Sequence, residues 1–116
     1  LAAAEKIKAA NVVDYPFGGA YKAGWNIAEE FVNMYLGNGG EFFGADNSPS
    51  INNTAGVKSL EMLKKLSAYM DPEFLSSDST YAQKQMQQEK IAMAYLWATR
   101  AGAMENAEES KEATAN

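Results

Sequence analysis

An unbroken apolar stretch near the end of the chain constrains the fold more than any other feature. Residues 91–97 read Ile-Ala-Met-Ala-Tyr-Leu-Trp, and every one of them is apolar or aromatic. A strand with one face in water alternates apolar and polar residues, and this stretch does not. Its length is typical of a strand, although a short buried helix is the alternative. The stretch therefore predicts an interior strand covered on both faces, as in a mixed or parallel sheet flanked by helices.

Size and composition favour one folded domain. The chain has 116 residues, of which 47% are hydrophobic and 22% charged, so it can build a core. Its net charge of −5 argues against nucleic-acid binding, which needs clustered Lys and Arg. The absence of Cys and His excludes thiol nucleophiles, disulfides, imidazole bases and zinc sites that use either residue. We predict no cofactor and no metal site.

The two ends of the chain differ from its middle. Residues 1–10 have the pattern of a short amphipathic helix, and the chain begins with Leu and shows no signal peptide. We therefore expect residues 1–116 to be a single domain or a fragment of a longer protein. Residues 105–116 are acidic and lack large apolar side chains, so they are predicted to form a frayed tail.

The first of two larger helices is predicted over residues 26–36. Asn26 and Glu29 have the spacing of a capping box, with Asn in the usual Ser or Thr place, although the helix could equally begin near Tyr21. Glu29 and Glu30 are expected on its solvent face. Two adjacent apolar rows at a spacing of four residues predict its buried stripe: Ile27, Phe31 and Tyr35, with Ala28, Val32 and Leu36.

The second larger helix is predicted over residues 54–69, with Asn53 as its N-cap. The side chains expected on its core face are Val57, Leu60, Leu63, Leu66 and Met70. Phe74 and Leu75 are expected to anchor the polar loop that follows. Residues 80–88 predict a polar helix whose glutamines face solvent.

Three segments of the chain resemble one protein family. They are residues 1–7, the block from Gly39-Gly40-Glu41-Phe42-Phe43 through Asp46 to an Asn53-capped helix, and residues 86–97. The last looks like the "Gly-Lys-x-Ala-Met…Trp" segment of extracellular solute-binding proteins, the sugar-binding subunits of ABC importers related to maltose-binding proteins. Each segment is a weak signal alone, whereas three in family order are more specific.

One residue departs from the family pattern. The family commonly has Gly where this chain has Glu89, directly before Lys90. If this position requires a positive φ, Glu would be strained there by about 1 kcal/mol or more.

The resemblance implies an α+β, helix-rich fold with a small mixed sheet, which is part of the C-terminal lobe of a two-lobed protein. It implies capture of a sugar or polyol between two lobes without catalysis, and delivery to the membrane permease subunits of an ABC transporter. It also implies a periplasmic location or a lipid anchor outside the cell. A single lobe exposes surface that the whole protein buries, so we expect the isolated chain to self-associate.

Trp97 is the first candidate ligand-binding residue. It ends the predicted strand, and open α/β sheets bind ligands at the carboxyl ends of their strands. An aromatic face packs well on the C–H face of a sugar ring. Because most buried Trp residues only fill space, the ligand role depends on the resemblance.

Four further candidates lie close to the same predicted edge. Gly19, Tyr21 and Trp25 follow a short β-type run, in a Gly-rich loop that leads into the first larger helix and permits close approach of a ligand. Arg100 could bridge hydroxyl groups through its planar fork. The alternatives are rim or core aromatics and a solvated surface charge.

Two other classes of function remain open. One is a helical interaction module without a small ligand, in which Tyr21 and Trp97 are buried and share no cavity. The other is a glycan-acting enzyme, which needs two facing carboxylates around a cleft. Adjacent acids such as Glu29 and Glu30 point about 100° apart on a helix and do not form such a pair.

Overall fold

The computed structural model describes residues 1–110, so the last part of the predicted tail lies outside the described residues. Helices form most of the regular structure, and a small sheet joins the two ends of the described chain. The elements are α1 (Ala2–Ala10), β1 (Tyr15–Gly18), α2 (Trp25–Gly37), α3 (Thr54–Ser67), α4 (Ser79–Gln87), β2 (Ile91–Ala94) and α5 (Ala101–Met104), with 3-10 turns at Phe74–Ser76 and Ala98–Arg100.

The two strands run parallel, with Tyr15 opposite Ile91 and Gly18 opposite Ala94. Parallel neighbours require a crossover connection, and α2, α3 and α4 supply it. Helix α4 packs on β2 and α1 packs on β1. The prediction of a helix-rich α+β lobe with a small flanked sheet is confirmed.

The apolar stretch at residues 91–97 is not the predicted strand with two covered faces. β2 ends at Ala94, and Ala92 is exposed although its neighbour Ile91 is buried. Tyr95 and Trp97 continue beyond the strand and are also exposed. An apolar run predicts that its residues find apolar contacts, but it does not fix the width of the sheet or the layers around it.

Tyr35 is the centre of the packing at the end of α2. Its side chain is 0% exposed and its ring stacks on Phe31 at 5.5 Å between centroids. Its hydroxyl donates to the carbonyl oxygen of Glu41 at 2.7 Å, lies 2.8 Å from that of Ser50, and accepts from Asn53 Nδ2 at 2.8 Å. One side chain thus ties α2 to the connection over residues 41–50 and to the start of α3.

The outer apolar rows of the two larger helices are less buried than predicted. Leu63 and Met70 join the core, whereas Leu36, Val57 and Leu60 each expose about half of their surface or more. Leu75 is also exposed and does not anchor its loop, although Phe74 packs on the core. Periodicity identifies the apolar face of a helix, but the partner element decides how much of that face is covered.

Helix ends agree with the sequence at some positions and not at others. Asn53 caps α3 as predicted, because its side chain accepts from the Gly56 N–H at 3.0 Å. Asn26 does not cap α2, which begins one residue earlier after Gly24. Gly24 is the N-cap residue, and glycine has no side chain with which to cap the helix. Its φ is 94°, which glycine adopts without the steric cost that a Cβ brings.

Glu89 adopts the positive φ that glycine favours. Its φ is 59°, and it follows the last residues of α4. The Glu89 N–H donates to the Met86 carbonyl and the Lys90 N–H to the Gln85 carbonyl, which is the hydrogen-bond pattern of a Schellman motif. The site therefore requires a positive φ, and Glu occupies a position that favours Gly.

The glutamines of α4 are not a solvated face. Gln85 and Gln87 are buried, contrary to prediction. Gln85 donates to Asp71 Oδ2 at 3.0 Å, and Gln87 donates to the Ala103 carbonyl at 2.8 Å. A long amide side chain can be buried when its polar atoms find partners, and composition alone does not show that they do.

Candidate functional site

A cavity of about 160 Å³ lies at the carboxyl ends of β1 and β2. Parallel strands end at the same edge of a sheet, which is where open α/β folds place ligands. The loop after β1, the first turns of α2, the start of α4 and the segment after β2 all contribute to the cavity. Its lining residues are Ala20, Trp25, Asn26, Glu29, Glu30, Asn33, Ser79, Tyr95, Leu96, Trp97 and Ala98.

Two partly exposed tryptophans line the cavity. Trp97 follows β2 and is 46% exposed, while Trp25 begins α2 and is 70% exposed. Tyr95 lies between β2 and Trp97, and its N–H donates to the Gly18 carbonyl at 3.2 Å, which extends the pairing of the strands by one step. The two indole rings thus expose apolar surface in the cavity, Trp25 from the first turn of α2 and Trp97 from the segment that follows β2.

Glu30 is a buried polar residue of the cavity wall that the sequence did not predict. It is 6% exposed, and its Oε1 accepts a hydrogen bond from the Ala20 N–H at 2.8 Å. Burial raises the pKa of the Glu30 carboxyl to about 7, and the bond from Ala20 offsets part of this rise. The sequence-based prediction had placed Glu30 on the solvent face of α2, and this is wrong.

The missing side chain of Gly19 leaves room for the Glu30 carboxylate. A Cβ added at Gly19 would lie 2.9 Å from Glu30 Oε1, closer than Cβ contacts allow. The Gly19 carbonyl accepts from the Ser77 hydroxyl at 2.8 Å and is not part of the cavity wall. The Gly18-Gly19 pair is the sequence feature that could have indicated this contact, because glycine permits the close approach of another group. It does not show which group approaches.

Tyr21 lies on the other side of the loop from the cavity. Its side chain is buried in the core, its ring meets Phe74 edge-on at 6.1 Å, and its hydroxyl donates to the Leu63 carbonyl at 3.1 Å. Burial, with the nearby Glu30 charge, raises the pKa of the Tyr21 hydroxyl well above its usual range. The structure thus brings Trp25 to Trp97 and does not bring Tyr21 there.

Arg100 lies beside the cavity and not in its wall. Its guanidinium donates to Gln83 Oε1 at 2.7 Å and to Ser79 Oγ at 3.0 Å, with a longer bond of 3.3 Å to Thr80. Ser79 itself lines the cavity. The fork of Arg100 therefore holds the start of α4, and through Ser79 it supports one edge of the cavity.

Residues 1–110 contain no group of three or more acidic, His or Cys side chains arranged to hold a metal ion. Nor does any helix in these residues combine the length and apolar character needed to cross a membrane.

Comparison with known proteins identifies the relatives of this chain. The family model for bacterial extracellular solute-binding proteins matches residues 1–116. No curated protein matches the sequence. Two solved structures are similar, and both are ABC transporter solute-binding proteins.

The first similar structure comes from Agrobacterium radiobacter K84 and contains ribitol. It is 22% identical, with a TM-score of 0.82 over 94% of this chain and 28% of that one. The second comes from Agrobacterium vitis S4 and contains D-mannitol. It is 27% identical, with a TM-score of 0.84 over 97% of this chain and 27% of that one. The chain therefore spans little more than a quarter of the length of these two proteins. Since the family model covers it from end to end, the chain belongs to the bacterial extracellular solute-binding proteins.

Proposed function

We propose that this chain forms one wall of the ligand site in the substrate-binding component of an ABC importer, and that the ligand is a sugar or polyol. The observation that carries the proposal is the pair of exposed tryptophans, Trp25 and Trp97, in one cavity at the carboxyl ends of parallel strands. The family supports solute capture, and the relative that contains D-mannitol supports a polyol.

In this proposal the ligand is held without chemical change. Trp97, with Trp25, packs on the carbon skeleton, and polar groups at the cavity wall bind hydroxyls. A second lobe closes over the ligand and the loaded protein docks on the permease subunits. The family is extracellular, and the finer locations we propose are the periplasm or a lipid anchor at the cell surface.

One wall alone should bind weakly. Packing an aromatic ring on the ligand contributes about 1–2 kcal/mol, by analogy with aromatic pairs. The loss of translational and rotational freedom costs about 4 kcal/mol or more. Millimolar or undetectable binding is therefore expected for residues 1–116 alone, and much tighter binding for the full-length protein that contains them.

The test is calorimetry of the full-length protein with D-mannitol and ribitol. Trp97→Ala should weaken binding by about tenfold, because an aromatic contact of this kind contributes about 1–2 kcal/mol. Trp25→Ala should weaken it less, since Trp25 is the more exposed ring. Both variants should unfold at the wild-type temperature. Wild-type affinity in Trp97→Ala would show that the proposed site is wrong.

The alternative of a helical interaction module is less well supported. It expects Trp97 to be buried and to share no cavity, whereas Trp97 is half exposed and lines a cavity with Trp25. Tyr21 is buried as that alternative expects. Self-association of the isolated chain stays a prediction, and sedimentation velocity giving a strict monomer would count against it.

A further inference from the structure

The wall of the cavity contains a buried carboxylate with one oxygen left for a ligand. Among the described residues, Glu30 takes part in one hydrogen bond, the bond from Ala20 N–H to Oε1. Residues 1–110 contain no fully buried side-chain nitrogen or oxygen that lacks a partner. Oε2 is therefore not fully buried, and the open space that Glu30 borders is this cavity.

The charges around Glu30 do not compensate its own. Burial, and after it the Glu30 charge, raises the pKa of the hydroxyls of Tyr21 in the loop after β1 and of Tyr95 after β2. Glu29 lines the same cavity from α2. Within residues 1–110, no Lys or Arg lines the cavity. The guanidinium of Arg100 donates its hydrogen bonds to side chains of α4.

We propose that Glu30 is a specificity-determining residue: its Oε2 accepts a hydrogen bond from one hydroxyl of the ligand, so that the site prefers uncharged polyhydroxy ligands to those with a carboxylate, and binds them best when Glu30 is ionised. This inference rests on the function proposed above. Its physical basis is that a buried carboxylate is costly without partners, and a ligand hydroxyl supplies the missing one.

The same geometry makes binding depend on pH. The carboxyl of free Glu30 has a pKa raised to about 7 by burial, so a large share of molecules at neutral pH carries a proton there. A donated hydroxyl hydrogen bond favours the ionised form, and the proton leaves to the buffer when the ligand binds. Affinity should therefore rise with pH through about 7, by about tenfold between pH 6 and pH 8.

A carboxylate on the ligand should be rejected for the opposite reason. It would bring a second negative charge to a wall that already contains Glu29 and Glu30 and no described cation. Like charges at short range in a partly desolvated site repel strongly. D-Mannonate is a suitable probe, because it has the carbon skeleton of D-mannitol with a terminal carboxylate.

The experiment is titration calorimetry of the full-length protein with D-mannitol at pH 6, 7 and 8, in two buffers of different ionisation enthalpy. We expect proton release near pH 7, tighter binding at pH 8, and at least tenfold weaker binding of D-mannonate at pH 8. Glu30→Gln should abolish the proton release and flatten the pH profile. Glu61→Gln, an exposed acid on α3, is the matched control and should keep both.

The outcomes separate this inference from the proposed function. If D-mannitol and ribitol fail to bind the wild-type protein, the polyol function fails and this inference fails with it. If they bind in a Trp97-dependent way without proton release, or more weakly at high pH, only the role of Glu30 is overturned. The buffer comparison uses the wild-type protein, so it decides the question even where Glu30→Gln does not fold.

Discussion

Tyr35 and Trp97 are both large aromatic residues, yet Tyr35 is completely buried at the end of α2 and Trp97 exposes nearly half of its surface at the cavity. Tyr35 packs on Phe31 and on Phe42. Trp97 instead borders open space. Both side chains are aromatic, and their exposure differs because the rest of the chain surrounds one ring and not the other. Aromatic rings in the core stabilise the fold, whereas rings at the cavity are available to an outside partner.

The polar groups of the two regions differ in the same way. The hydroxyl of Tyr35 meets three partners from the chain itself, while the carboxyl of Glu30 meets one. A buried acid with an uncommitted oxygen lowers stability, and such groups persist where function needs them. The comparison therefore separates a region built for stability from one that, in the function proposed above, gives up stability for ligand binding.

The largest effect is expected at Tyr35. Tyr35→Ala should lower the free energy of unfolding by about 4 kcal/mol, because it removes a fully buried ring and the hydroxyl that hydrogen-bonds the Glu41 carbonyl oxygen. Trp25→Ala is the comparison from the cavity, and it should change the free energy by less than about 0.5 kcal/mol. Urea denaturation measures both. Equal losses would break the distinction between the two regions.

A smaller effect, of opposite sign, is expected at Glu30. Its pKa is raised in the folded protein to about 7 from an ordinary 4.5, so folding favours the protonated form. The stability linked to Glu30 is fully present below pH 4.5 and is lost as pH rises to about 7. Glu30→Gln should therefore raise the free energy of unfolding at pH 8 by about 2 kcal/mol relative to wild type.

The pH dependence provides the control for Glu30→Gln. At pH 4, where the wild-type carboxyl is protonated in both states, the variant should show little gain. Urea denaturation at the two pH values measures the difference. If Glu30→Gln is no more stable than wild type at pH 8, the ionised carboxylate does not destabilise the fold and the contrast with Tyr35 fails.

The smallest effect is expected at Glu89, at the opposite end of β2 from the cavity. Glu89→Gly should raise the free energy of unfolding by up to about 1 kcal/mol, because Gly adopts φ 59° without the steric cost that Glu carries. Gln88→Gly is the matched control, since its φ of −95° suits any residue and Gly there should destabilise. Thermal unfolding compares the two. Ligand affinity should stay at the wild-type value in both, which would sharpen the contrast with Glu30.

Local patterns in the sequence determined some of the helix ends. Asn53 caps α3 through its own side chain, and Asn11 ends α1 in the left-handed conformation that Asn tolerates, so both ends follow from chemistry within a few residues. The family followed from three ordered segments, and it fixed the helix-rich fold. Trp97 was expected to end the strand, but β2 ends at Ala94 and Trp97 lies three residues beyond it, because an apolar stretch does not fix where strand pairing stops.

Only the tertiary structure decided which side chains meet. Tyr21 and Ala20 are neighbours in sequence, yet Tyr21 enters the core and Ala20 borders the cavity. Glu30 was expected in water because acids on helices are usually exposed, but the loop through Gly19 passes so close to α2 that it buries the carboxyl and supplies a backbone N–H to it. Sequence sets the local conformation through short-range sterics and capping. The burial of a given side chain depends on packing between segments far apart in the chain, which no local pattern contains.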